Sequence, residues 1–97
     1  MIVKKIHWLG VGLSSPPGIL YLSNKGYKLD VWNRTPEKAS LLLSNKIIVK
    51  RLDLNKLRNE LNENDLIVSM LPASNHIEIA KIAVEKKSHL LTSSYYD

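Results

Sequence analysis

Short apolar runs recur along the chain about every twenty residues and predict β-strands. Each run has the length of a strand, and the fourth is almost continuously apolar, which is typical of a strand covered by helices on both faces. The predicted strands span residues 6–9, 29–32, 47–49, 66–70 and 89–92.

Helical signals fill the first two gaps between these runs. Gly26 follows an apolar helical pattern and is expected to be the residue after a helix C-cap. Thr35 before Pro36 predicts the N-terminus of a second helix, because threonine caps helices and proline fits their first position. That helix is expected to extend to about Ser44.

The next two gaps carry equally clear helical patterns. Asp53 is predicted to cap a third helix, whose apolar residues recur at the spacing of one helical face. A fourth helix is predicted after Pro72, with Lys86 and Lys87 at the end where the helix dipole favours cations.

Alternating strands and helices with short connections predict an α/β, Rossmann-like three-layer fold. We expect a five-stranded parallel sheet with strand order 3-2-1-4-5 and helices on both faces, formed by residues 1–97 as a single domain. Ligands of such sheets bind at the carboxyl ends of the strands. The residues that follow each strand are therefore the candidate site.

A glycine-containing turn follows the first strand at residues 10–15. Gly10 permits a tight turn, and Gly12 lets a pyrophosphate approach the N-terminus of the next helix. The expected hydrogen-bond donors are the N–H groups of Gly12, Leu13, Ser14 and Ser15. Ser15 stands where a third glycine would allow close packing, so helix and strand are expected to lie farther apart. An ordinary strand-to-helix turn is the alternative interpretation.

The residues after the second strand predict the choice of dinucleotide. Asn33, Arg34 and Thr35 are expected to surround the adenosine, with Arg34 binding a 2′-phosphate and Lys38 adding positive charge. Asp30, the acid that could bind the ribose of NAD, is predicted to lie within the strand. These features predict NADP as the cofactor, whereas the alternative is a solvated arginine beside a helix cap.

Composition and charge narrow the remaining possibilities. The 97 residues carry 14 Lys and Arg against 9 Asp and Glu, giving a net charge of +5, but the bases are scattered, which favours a local anion site over a nucleic-acid surface. No cysteine is present, and the 3 histidines lack metal-ligand spacing, so we predict no metal and no catalytic residue within the chain. No signal peptide or bilayer-spanning run is found, which predicts a cytoplasmic protein without a membrane partner.

Two motifs together resemble a known family. Gly10, Gly12 and Pro17 match its GxGxxxxP turn, and Ser93, Ser94 and Tyr95 match its TSY signature as the variant SSY. Residues 6–35, 68–72 and 91–95, which contain these motifs, make nearly the whole chain resemble the N-terminal domain of saccharopine dehydrogenase, the glutamate-forming enzyme also called saccharopine reductase.

The resemblance implies positions for the ligands. The implied contacts are Val11, Gly12, Leu13 and Ser14 with the pyrophosphate, Asn33, Arg34 and Thr35 with the 2′-phosphate, Asp53 and Leu54 with the adenine, Leu71 and Pro72 with the cofactor, Ser93 and Ser94 with the cofactor near the substrate, and Ser94 and Tyr95 with the substrate.

The resemblance also implies a reaction. Family members carry out reversible hydride transfer at the carbon–nitrogen bond of a secondary amine that joins two amino-acid moieties, in lysine metabolism. Their signature continues into a substrate domain, whereas this sequence reads Tyr96 and Asp97 and ends. The chain by itself is therefore expected to bind the cofactor but not to catalyse the reaction. A missing substrate domain or a homo-oligomer is expected to complete the site.

Other functional classes remain open at this point. One alternative is a nonenzymatic module that senses NADP and regulates a partner. Another is the NADP-binding half of a different dehydrogenase, such as the shikimate type, although the turn at Gly10 and Gly12 lacks the adjacent glycines expected of that type.

Overall fold

A computed structural model describes residues 3–43 and 47–93 of the chain. Five strands alternate with four α-helices, and a 3₁₀ turn at Ala73–Asn75 precedes the last helix. The strands are β1 (Ile6–Leu9), β2 (Leu29–Asn33), β3 (Val49–Arg51), β4 (Leu66–Ser69) and β5 (His89–Thr92), and the helices are α1 (Pro16–Asn24), α2 (Pro36–Leu42), α3 (Leu54–Glu60) and α4 (His76–Lys86). None of the described helices has the length and apolar character needed to cross a bilayer.

The strands form one parallel sheet in the order β3-β2-β1-β4-β5. This order confirms the predicted Rossmann-like topology. Because β1 lies in the centre, the segments that follow β1, β2 and β4 meet at one edge of the sheet.

The core has two layers because successive strand residues point to opposite faces of the sheet. One layer lies under α1 and α2 and contains the buried residues Trp8, Ile19, Val31 and Leu43. The other lies under α3 and α4 and contains Leu9, Trp32, Leu57, Leu61, Ile67, Leu71, Ile79, Ile82 and Ala83. Helices therefore cover both faces, as predicted.

Local signals set most helix ends. Gly26 follows the C-cap of α1 with a φ of +88°, as its sequence position predicts. Asp53 caps α3, because its Oδ1 accepts the N–H groups of Asn55 at 2.9 Å and Lys56 at 3.2 Å. Thr35 occupies the N-cap position of α2, but its hydroxyl makes no capping bond.

The predicted bounds of the third strand are wrong. Strand β3 spans Val49–Arg51 rather than residues 47–49, because residues 49–51 are the ones that pair with β2, whereas Ile47 packs on the α1/α2 layer before the strand begins. An edge strand such as β3 tolerates charged residues. The ammonium of Lys50 lies 3.1 Å from the Asp30 carboxylate, which pairs its charge. Helix α2 ends at Leu42, and Ser44, its predicted end, lies outside the described residues.

His7 forms a buried polar group at the centre of the sheet. Its Nδ1 accepts the indole N–H of Trp32 at 3.2 Å, so its Nε2 carries the hydrogen donated to Asp65 Oδ2 at 3.2 Å. Burial lowers the pKa of His7, and the Asp65 carboxylate offsets only part of that effect. His7 is therefore a neutral packing residue, as its mid-strand position predicts.

Candidate cofactor site

A cleft of about 360 Å³ opens at the carboxyl edge of the sheet. It is formed by the segments that follow β1, β2 and β4, which are distant in sequence but adjacent in the sheet. The residues that line it are Gly10, Val11, Gly12, Asn33, Arg34, Met70, Leu71 and Pro72.

The two glycines of the turn have different roles. Gly10 has a φ of +88°, which favours glycine, and a Cβ there would lie 3.1 Å from Leu71 Cδ2, so that side chain would have to shift. A Cβ at Gly12 would meet no protein atom within 4 Å. The space above Gly12 is therefore open for a ligand to approach the main chain.

The turn satisfies some of its own hydrogen-bond donors. The Gly12 N–H donates to Ser15 Oγ, and the Ser15 N–H donates to the Gly12 carbonyl, each at 3.3 Å. Each of these two N–H groups thus already has an acceptor within the turn. Within residues 3–43 and 47–93, the N–H groups of Leu13 and Ser14 have no acceptor, and they lie at the N-terminus of α1, where anions bind.

Gly18 allows α1 to pack closely on the sheet. A Cβ at Gly18 would lie 3.3 Å from the Trp8 ring, a contact tighter than ordinary van der Waals packing. The Gly18 backbone therefore approaches the Trp8 ring of β1 closely, with Ser15 at the third position of the turn. A glycine in the first turn of the helix was the sequence signal for this role.

Asn33 connects the two loops that form the cleft. Its Oδ1 accepts the Val11 N–H at 3.0 Å, and its Nδ2 donates to the Thr35 carbonyl at 3.0 Å. The side-chain amide is therefore bonded to protein through both its oxygen and its nitrogen, and the Val11 N–H has an acceptor within the protein. Asn33 lines the cleft as predicted, but its amide holds the glycine turn beside the loop that carries Arg34.

Positive charge surrounds the end of β2. Arg34 is exposed and lines the cleft, and Lys38 is exposed in the first turn of α2. Arg51 ends β3 in register with Asn33, and its Nη1 donates to the Arg34 carbonyl at 3.3 Å. Sequence reasoning missed Arg51 because the apolar run predicted that β3 ends two residues earlier.

Asp30 lies away from this edge, as predicted. Its carboxylate is 2.6 Å from the Lys5 ammonium and 3.1 Å from that of Lys50. Burial alone would raise the pKa of Asp30, but the two ammonium groups outweigh burial and hold the pKa below its usual value. Asp30 is thus an ionised structural residue and does not reach the cleft.

Leu71 and Pro72 form the opposite wall of the cleft. The Leu71 side chain belongs to the core, and its carbonyl accepts a hydrogen bond from His76 Nε2 at 3.1 Å. His76 therefore holds this wall at the start of α4.

The other predicted contacts lie along the same edge but do not line the cleft. Asp53 and Leu54 follow β3, and the Asp53 carboxylate caps α3. Ser93 follows β5 and donates its N–H to the Ser69 carbonyl at 3.0 Å. Ser94 and Tyr95 lie outside the described residues.

Three features at this edge of the sheet suit a phosphate-bearing ligand. The open position above Gly12 admits a phosphate to the main chain, Leu13 and Ser14 present N–H donors, and Arg34 supplies a cation on the neighbouring loop.

Comparison with known proteins agrees with this geometry. The profile of the saccharopine dehydrogenase NADP binding domain matches residues 6–97. The chain is 32% identical to a saccharopine dehydrogenase [NADP(+), L-glutamate-forming] of Pyricularia oryzae, over 98% of the chain and 22% of that protein. It is 33% identical to the Schizosaccharomyces pombe protein of the same name, over 90% of the chain and 21% of the relative.

A third similar protein is the mitochondrial alpha-aminoadipic semialdehyde synthase of Rattus norvegicus, which is 29% identical over 95% of the chain and 11% of its own length. The chain thus spans about a fifth or less of the relatives it matches. NADP is the cofactor of the matching domain, and the family consists of NADP-dependent oxidoreductases. The chain belongs to the saccharopine dehydrogenase family and corresponds to the NADP-binding domain of its members.

Proposed function

We propose that the cleft holds NADP(H) with its pyrophosphate against Leu13 and Ser14 and its 2′-phosphate against Arg34. The observation that carries this proposal is the open main chain at Gly12, between unpaired N–H donors and an exposed arginine. Backbone N–H groups at a helix N-terminus bind phosphate through hydrogen bonds and the helix dipole.

The charge distribution supports a 2′-phosphorylated ligand. The guanidinium of Arg34 can pair bidentately with phosphate. The described residues that line the cleft include no carboxylate, and Asp30, the nearest acid on β2, is neutralised by two lysines. A phosphate group would therefore meet attraction at this edge and no lining carboxylate.

We further propose that residues 1–97 form a single domain and that this domain binds the cofactor of a reductase. The bound cofactor supplies or accepts hydride, while this chain binds it, orients it and shields one side with Leu71 and Pro72. The proposed substrate is saccharopine, a secondary amine joining two amino-acid moieties, which places the reaction in lysine metabolism. This proposal rests on the relatives' names and assigns most substrate contacts to a further domain or subunit.

Cofactor binding can be tested with NADPH and NADH by calorimetry and thermal shift. At 100 times its dissociation constant, a ligand stabilises the folded state by about 2.7 kcal/mol. Arg34→Ala should weaken NADPH about tenfold and leave NADH within about twofold, because NADH lacks the 2′-phosphate. Arg58→Ala removes the same charge from α3 and should leave both affinities unchanged. An equal loss of NADPH and NADH in Arg34→Ala would contradict the assignment.

The reaction can be tested in a chimera. The chain would replace the corresponding segment of the Pyricularia oryzae relative, and saccharopine oxidation would be followed as NADPH absorbance. We expect turnover with NADP⁺ and much less with NAD⁺. A folded chimera that binds NADPH normally but does not oxidise saccharopine would refute the proposed reaction while leaving cofactor binding intact.

A further inference from the structure

Arg51 holds its guanidinium against the loop that carries Arg34. It ends the edge strand β3 opposite Asn33, and its side chain is 67% exposed. Its Nη1 donates to the Arg34 carbonyl at 3.3 Å, which ties the side chain to that loop. Arg51 at the end of β3 and Arg34 in the loop after β2 thus lie at one corner of the carboxyl edge.

Most of the hydrogen-bonding capacity of Arg51 remains unused. A guanidinium has five N–H donors, and among the described residues its one hydrogen bond is to Arg34. The Glu37 carboxylate lies 3.8 Å from Nη2, too far for a hydrogen bond but close enough for electrostatic attraction. Arg51 is therefore a partly neutralised cation with donors free for an acceptor.

We propose that Arg51 is a second cation of the 2′-phosphate site and a determinant of the preference for NADPH over NADH. The inference rests on the proposed function, because it requires the 2′-phosphate to lie beside Arg34. A 2′-phosphate carries between one and two negative charges near neutral pH and has three acceptor oxygens, more than one guanidinium satisfies.

The placement of the two arginines favours an anion between them. Arg51 binds the main-chain carbonyl of Arg34, which itself lines the cleft, so a phosphate beside Arg34 would be attracted by both positive charges. Because Arg51 is held by a main-chain carbonyl rather than by a carboxylate, it can bind phosphate without first breaking a strong ion pair. Glu37 competes weakly with the phosphate for the same guanidinium.

The test measures dissociation constants of NADPH and NADH for the wild type, Arg51→Ala, Arg51→Gln, Arg34→Ala and Arg58→Ala. Both Arg51 variants should weaken NADPH about fivefold to tenfold and leave NADH within about twofold. The Gln variant keeps a donor for the Arg34 carbonyl and guards against a folding defect. Glu37→Gln should tighten NADPH about twofold, because a competing carboxylate is lost.

Each outcome separates this inference from the proposed function. A wild-type chain that binds neither dinucleotide refutes the proposed function. Selective NADPH loss in Arg34→Ala, with wild-type affinities in both Arg51 variants, overturns only the role of Arg51. An equal loss of NADPH and NADH in both Arg51 variants would show that Arg51 merely positions the loop, and weaker NADPH binding in Glu37→Gln would also contradict a phosphate beside Arg51.

Discussion

Replacing Asn33 with alanine should loosen both loops of the cofactor cleft at once. The side-chain amide joins the Val11 N–H of the glycine turn to the Thr35 carbonyl of the Arg34 loop, with both bonds at 3.0 Å. Asn33→Ala removes both bonds and leaves Arg34 and the glycines unchanged. The variant therefore tests whether the cleft depends on this connection.

The expected loss follows from the two hydrogen bonds. Each contributes a net 0.5–1.5 kcal/mol as an order of magnitude, and water can partly replace Asn33 because the site is only partly buried. We expect the free energy of unfolding to fall by about 1–2 kcal/mol, which for a domain of this size lowers Tm by roughly 5–10 °C. Binding must then order the loops, so NADPH and NADH should both weaken about fivefold.

The assay combines chemical denaturation with calorimetric titration of both dinucleotides. Asn59→Ala on α3 is the matched control, because Asn59 is exposed and its replacement should change stability by less than about 0.5 kcal/mol. If Asn33→Ala matches this control in both stability and affinity, the two hydrogen bonds of Asn33 contribute neither to stability nor to dinucleotide binding. A loss confined to NADPH would instead assign Asn33 to the 2′-phosphate.

Three further predictions concern the fold and the turn. Gly10→Ala should lower the free energy of unfolding by about 1–3 kcal/mol because Gly10 has a positive φ. Gly12→Ala should keep wild-type stability but bind NADPH more weakly. Chemical denaturation and NADPH titration of both variants check this, and a destabilised Gly12→Ala would contradict it. The unfolded chain binds more protons at His7 than the folded chain does, so stability should fall as pH drops below about 6.5, by at most about 1.4 kcal/mol per unit. Melting between pH 7.5 and 5 should show a smaller slope for His7→Gln, and an unchanged slope would exclude His7 as the cause. Asp53→Ala should cost about 1 kcal/mol in denaturation because α3 loses its cap, and restoration by Asp53→Ser would confirm that capping is the reason.

Local sequence predicted the order of elements because each signal acts within a few residues. The apolar runs of β1 and β4, the glycine after α1 and the cap of α3 all depend on neighbours along the chain. The predicted bounds of β3 were wrong because this strand depends on a segment that is distant in sequence. Ile47 is apolar because it packs on the core, while Lys50 and Arg51 form the strand because β2 offers an edge for pairing.

The candidate site divides in the same way. The glycine turn and Arg34 were predicted from sequence, since both lie within a few residues of a strand end and owe their chemistry to residue type. Arg51, the close packing of Gly18 and the bonds of Asn33 were not, because each depends on a contact with a segment elsewhere in the chain.

The sequence by itself therefore determined the alternation of strands and helices and the family resemblance, and it predicted that the turn binds phosphate. The tertiary structure decided which N–H groups remain free, since Gly12 and Ser15 satisfy each other and leave Leu13 and Ser14 open. It also decided which charges meet, because strand order brings Arg51 beside Arg34. Hydrogen bonds and charge pairs depend on distance in space, and sequence separation does not specify that distance.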